Sequence, residues 1–294
     1  MKSAFVVVLY YVITANSLFL VQQQQQRHHL RKPLRMSTSE EAFPLSGVIA
    51  CVTGATRGIG KGIALGLAEQ GATIYVTGRS LNSDSCTEQV LGGTLADLVV
   101  EIEALGGKCV PVQCDHREDV QVENLFKQIS VEHGKLDILV NNAFQVPSLP
   151  DGAKDKDLLF RDFWEQPGWF WDSFMTVGLR SHYVASCYAV PMLKAAVADA
   201  SKVNRKPMII HISSFGGVSY SFNVAYGVGK AGVDRMAKDM QVLIHFLSYT
   251  IPHYTPTMYT LYLTMPHYFT LYHTIPHHIT SYHTIPHYTT IHTN

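Results

Sequence analysis

Short apolar runs rich in β-branched residues alternate along this chain with stretches whose apolar positions recur every three or four residues. Val48–Thr53, Thr73–Thr77, Cys109–Gln113, Leu136–Val140 and Met208–Ile212 are of the first kind and predict strands. Gly60–Gln70, Leu95–Leu105, residues 119–132 and the region around 170–195 are of the second kind and predict helices. Gly71 and Gly106-Gly107 stand where helices commonly stop, because glycine accepts the left-handed turn that ends them. Strands apolar throughout, separated by helices, imply a parallel sheet covered on both faces. The predicted fold is therefore α/β, a doubly wound Rossmann-type sheet whose ligand crevice lies at the carboxyl ends of the strands.

The same pattern divides the chain into three regions. Residues 36–248 have ordinary globular sequence and carry the strands and helices. Residues 1–35 open with an apolar stretch, Ala4–Val21, followed by Gln22–Gln26 and the basic segment Arg27-His28-His29-Leu30-Arg31-Lys32. This stretch is just long enough to span a bilayer, and the following positive charges would keep the body of the chain cytoplasmic. The alternative is an upstream extension, with Met36 as the effective start. Residues 249–294 contain no Asp, Glu, Lys, Arg or Gly. They repeat Thr-Ile/Met-Pro-His at Thr250, Thr264, Thr274 and Thr284, at spacings of 14, 10 and 10 residues. A proline in every copy forbids a sustained helix, so an origin in tandem-repeat DNA is expected.

Composition narrows the function. The 294 residues are 47% apolar with zero formal net charge and a pI near 7.3, so a packed core is expected and a nucleic-acid partner is not. Five cysteines, Cys51, Cys86, Cys109, Cys114 and Cys187, form no CxxC pair and are odd in number, which fits a reducing compartment. Eight of the 15 histidines fall in the repeat, but without Cys, Asp or Glu beside them, so no metal site is expected.

Two motifs carry the chemistry. Thr53-Gly54-Ala55-Thr56-Arg57-Gly58-Ile59-Gly60 follows the first strand and opens the first helix. Glycines there let backbone N–H groups approach a pyrophosphate at a helix N-terminus. The second strand ends in Gly78-Arg79 where NAD-selecting sites place a carboxylate, and Arg79 with Arg57 could grip a 2′-phosphate instead. NADP(H) is the expected cofactor. The second motif is Tyr226-Gly227-Val228-Gly229-Lys230, with Ser213-Ser214 upstream. A Tyr and a Lys four apart share one helix face. There the ammonium is expected to lower the phenol pKa for proton transfer.

Together these residues resemble the short-chain dehydrogenase/reductases over roughly residues 44–246. The resemblance implies that Gly54, Thr56, Arg57, Gly58, Ile59 and Gly60 bind the cofactor. It implies the same for Arg79, for Asp115 at the adenine, and for Asn141 and Ala143 of Asn141-Asn142-Ala143. Ser214, with Ser213 as the alternative, would polarise a carbonyl, Tyr226 would exchange its proton, and Lys230 would also hold the nicotinamide ribose. Finer features are Val177-Gly178-Leu179-Arg180-Ser181-His182-Tyr183, Phe222-Asn223-Val224, and Phe144 where most relatives have glycine. They resemble a subgroup of carbonyl reductases acting on steroids and other lipophilic ketones at the endoplasmic reticulum. A location in the cytoplasm or on the cytoplasmic face of that membrane follows from the resemblance, as does self-association.

Two departures are visible. Thr176 stands where the family places an Asn that holds a water beside the Lys, so proton relay is expected to be impaired. The family's sixth strand, nicotinamide-contacting Pro-Gly turn, substrate lid and seventh strand are not recognisable after residue 248. The sequence thus supports an NADP(H)-dependent carbonyl reductase or, alternatively, a truncated, inactive NADP-binding remnant. A His-rich interaction module would rest on the repeat alone.

Overall fold

The computed structural model describes residues 43–82, 93–146, 158–200, 206–250, 257–263 and 271–272. The chain alternates strand and helix as β1 (Ile49–Val52), α1 (Gly58–Glu69), β2 (Thr73–Gly78), α2 (Leu95–Ala104), β3 (Lys108–Gln113), α3 (Asp119–His133) and β4 (Ile138–Asn141). It continues with α4 (Gly168–Met175), α5 (Ser181–Ala200), β5 (Met208–Ser214), α6 (Val224–Thr250), β6 (Thr257–Leu263) and β7 (Leu271–Tyr272). The sheet order is β3-β2-β1-β4-β5-β6-β7, parallel from β3 through β6. Because the chain winds outward from β1 in both directions, the order reverses between β1 and β4. A crevice opens there at the carboxyl ends.

Alternate residues of each strand supply the two faces of the core. Ala50, Val52, Ile74, Val76, Ile138 and Val140 pack on the side of α1 and α2. Ile49, Cys51, Tyr75, Leu139 and Ile209 pack on the side of α3 and α5. The helix ends follow local chemistry. Thr94 and Asp97 form a reciprocal capping box at α2, and Gly134 (φ 67°) takes the left-handed position that ends α3.

Two expectations need correction. Residues 170–195 are not one helix: Thr176–Arg180 forms a wide turn in which Val177 (φ −115°, ψ 87°) and Gly178 (φ 155°, ψ −25°) leave helical geometry. Only glycine takes that φ without strain, and this separates α4 from α5. The sheet also does not end at β5. Thr257–Leu263 runs parallel to β5, from Met208 opposite Thr257 to Ser214 opposite Leu263, and β7 pairs antiparallel to β6. The physical reason lies in the repeat. Thr257–Leu263 is a proline-free window between Pro256 and Pro266, made only of Thr, Met, Tyr and Leu, residues compatible with a strand.

Cys51, Cys109, Cys114 and Cys187 are free thiols. Cys86, the apolar stretch Ala4–Val21 and most of the repeat lie outside the described residues. Among the described residues no helix is long and apolar enough to cross a membrane.

Candidate active site and cofactor crevice

The glycine turn sits at the end of β1 and is built around two threonine hydroxyls. Thr53 Oγ1 accepts from the backbone N–H of Asn142 (2.9 Å) and Ala143 (3.0 Å), and donates to the Val140 carbonyl (3.3 Å). Thr77, on β2, accepts from Gly54 N at 3.2 Å through its hydroxyl and from Ala55 N at 2.8 Å through its carbonyl. Asn142 completes the turn by donating its amide to the carbonyls of Thr53 and Gly54, both at 2.9 Å. Packing is tight enough to require glycine at two of the predicted positions. A Cβ on Gly54 would lie 2.8 Å from the Ala143 Cα, and one on Gly60 would collide with the Asn142 amide and the Gly54 carbonyl.

Beyond the turn the surface opens. Gly58 (φ 58°) is exposed with open space around it, Ile59 is exposed, and Arg57 precedes α1 without a side-chain cap. The first N–H groups of α1 are therefore offered to a ligand, the arrangement a pyrophosphate needs. Thr56 is buried, its methyl against Gly78. Arg79 is exposed at the end of β2, near Asp115 after β3. Burial works against the Asp115 carboxylate, but hydrogen bonds from Arg117 and the charges of Arg117 and Arg79 hold it below the usual carboxylate range. These residues fit a nicotinamide dinucleotide.

The candidate catalytic side chains converge between β5 and α6. Ser214, the last residue of β5, accepts from Gly216 N at 3.1 Å and from the Tyr226 hydroxyl at 2.7 Å. Ser213 points away, its hydroxyl buried and directed at the Lys230 carbonyl (3.4 Å). Of the two serines left open by spacing, Ser214 is the one joined to Tyr226. The start of α6 is set by Asn223, whose side chain accepts from Tyr226 N (2.8 Å) and donates to the Leu159 carbonyl (3.3 Å). Phe222 enters that cap at φ 63°.

Lys230 lies one turn below Tyr226 and is buried. Its ammonium donates to the Ile212 carbonyl at 3.0 Å and sits 4.8 Å from the centre of the Phe144 ring. Burial brings its pKa down to about 8, against the opposing influence of Asp234. The Tyr226 phenol differs from expectation: burial pushes it above its usual range, and only the Ser214 hydrogen bond offsets this. Lys230 Nζ donates to Ile212 and lies over Phe144, 6.0 Å from the tyrosine ring centre.

Asn141 needs a second correction. Its side chain is fully buried away from the glycine turn and donates to Ser186 Oγ (3.0 Å) and to the His182 carbonyl (3.3 Å) on α5. It fastens β4 to α5, while Ala143 N and Asn142 face the turn. Thr53, Thr77, Asn142 and Asn223 escaped the sequence reading of the site. For Asn142 and Asn223 the signal was present, in the doubled asparagine and in an Asn three residues before Tyr226. Three buried histidines were also missed. His116 meets Thr77 Oγ1 (2.7 Å), His182 meets the Ala143 carbonyl (3.1 Å), and His211 lies between Asn141 and His182. Burial pushes all three down, His116 and His211 to about 4.

This order of glycine turn, Asn-Asn-Ala, serine, tyrosine and lysine matches a family model described as short chain dehydrogenase over residues 48–245. The chain belongs to the short chain dehydrogenase family. It is 41% identical over 209 residues to dehydrogenase/reductase SDR family member 1 of Mus musculus and 42% identical over 199 residues to that of Homo sapiens. Those matches take in 70% and 67% of this chain but only 59% and 56% of the relatives. Among solved structures, the Pseudomonas aeruginosa RhlG/NADP active-site complex is similar with a TM-score of 0.55 and 25% identity, over 69% of each chain.

Proposed function

We propose that this chain is an NADP(H)-dependent carbonyl reductase acting on a lipophilic ketone or aldehyde. The observation that carries the reading is the Ser214–Tyr226 hydrogen bond beside buried Lys230. Cations at Arg57 and Arg79, with no carboxylate at the end of β2, favour a 2′-phosphate. Phe144, Phe174 and Phe222 ring the phenol and suit an apolar substituent on the carbonyl.

The glycine turn and the α1 N-terminus would hold the pyrophosphate, and when bound the cofactor supplies the hydride. This chain's residues manage the oxygen. Ser214 Oγ already accepts from Gly216 and Tyr226, which leaves its own O–H to donate to a carbonyl oxygen. Tyr226, kept protonated by burial, is a general acid: its proton passes to the same oxygen as the alcohol forms. Lys230, its pKa brought down to about 8 by burial, lies one helical turn away and would return that proton through an intervening water.

The experiment follows consumption of NADPH and NADH with a panel of aryl, alicyclic and short-chain ketones. The wild-type chain should prefer NADPH, and Tyr226→Phe should lower turnover about 10²- to 10⁴-fold with NADPH affinity kept. Saturable NADPH binding with no turnover on any ketone would favour the alternative, an inactive remnant.

A further inference from the structure

Lys230 raises a physical problem that its hydrogen bonds do not solve. An ammonium has three N–H donors, and burying it is costly unless those donors are met. One is met by the Ile212 carbonyl. The next group over the charge is an aromatic face, Phe144, 4.8 Å from nitrogen to ring centre and within the range of a cation–π contact.

The ring is held in place from several sides. The backbone before it is fixed, because Ala143 N donates to Thr53 Oγ1 and the Ala143 carbonyl meets His182 Nε2. Phe174 lies 5.7 Å away, and Tyr226 meets the ring edge-on at 5.8 Å. On another side Gly178 makes room: a Cβ there would stand 3.0 Å from the Phe144 ring. The break between α4 and α5 thus opens where the ring needs space.

We propose that Phe144 is a positioning residue that holds the Lys230 ammonium beside Tyr226 through the face of its ring. The role deepens the reductase reading and rests on it, since Lys230 matters through Tyr226. Removing the ring's negative face leaves a buried charge with one fewer stabilising group. The charged groups facing Lys230 are Asp234 and Tyr226 on its own helix and His182 on α5. The fluorinated rings nearly keep the shape these groups pack against, whereas Phe144→Leu also removes the ring that Tyr226 meets edge-on.

The test reads the lysine directly. The full chain is labelled with [ε-13C]lysine, the Lys230 signal is assigned by its loss in Lys230→Met, and it is titrated without cofactor. Phe144 is then replaced by mono-, di- and trifluorophenylalanine, which drain the ring face while nearly preserving shape, and by Leu. The wild-type midpoint should lie at about 8. It should fall stepwise with fluorine, by about one pH unit at the trifluoro ring and in Phe144→Leu. A midpoint unchanged across the fluorinated series overturns the proposal. If wild type binds no NADP(H), the reductase reading fails, while this titration still decides the contact. The fluorinated series also keeps the question answerable if Phe144→Leu does not fold.

Discussion

The crevice has two walls built on opposite principles. Around the glycine turn, short side chains and backbone groups meet each other directly, as Thr53, Thr77 and Asn142 bond to main-chain atoms. Around Tyr226 the wall is aromatic and partly open, with Phe144, Phe174 and Phe222 against the phenol and Phe222 about half exposed. The first wall recognises a ligand by backbone approach, which tolerates almost no added atom. The second recognises by surface, which tolerates change in shape but depends on where a few helix ends are pinned. The difference locates stringency: in the cofactor wall a methyl group matters, and in the substrate wall a cap or a ring matters.

The largest expected effect is at the cofactor wall. Gly60→Val would drive side-chain atoms into the Gly54 carbonyl, which cannot step aside. Overpacking of roughly 3 kcal/mol is expected, with NADPH affinity down at least about 100-fold in a fluorescence titration. Retained affinity would mean that the wall is softer than described.

An intermediate effect is expected at the seam between the walls, where the buried histidines sit. His211 is pushed down to about 4 in the folded chain, against about 6.5 when unfolded. Between those values the unfolded chain binds the extra proton. The histidine's contribution is therefore complete above pH ~6.5 and lost as pH falls toward ~4. Urea unfolding across that window should show falling stability. His211→Gln should reduce the slope by about 1.4 kcal/mol per pH unit, one proton's share. An unaltered slope would place the acid sensitivity elsewhere.

The smallest effect belongs to the substrate wall. Asn223→Ala removes the acceptor for Tyr226 N at the start of α6. A cost of about 1 kcal/mol is expected, seen as a fall of about 2–4 °C in Tm, with NADPH affinity unchanged. A matching loss of NADPH affinity would show that the two walls are not separate.

How far each wall could be read from sequence follows from the same contrast. The glycine turn is a local pattern whose spacing alone dictates geometry, and Gly54 and Gly60 sit where that spacing requires. Tyr226 and Lys230 were legible because four residues make one helical turn, and β1 to β5 were legible as apolar runs. Side-chain direction was not. Asn141 ends β4 and Asn142 follows it, their side chains go to different partners, and only the structure shows that Asn142 takes the turn. The Tyr226 phenol is pushed up by burial, which the spacing of Tyr226 and Lys230 does not reveal. The helix break at Gly178 depends on a ring 34 residues away in sequence. The pairing of β6 depends on a window too short to stand out inside a repeat.

One hydroxyl has a wider consequence. Thr53 Oγ1 takes two hydrogen bonds and gives one, so its rotor has a single setting, and the ends of β1 and β4 cannot shift independently. The floor of the cofactor crevice is thus ordered when the chain folds. A dinucleotide arriving there meets a surface whose conformational entropy has already been lost, and less of its binding free energy goes to arranging the protein.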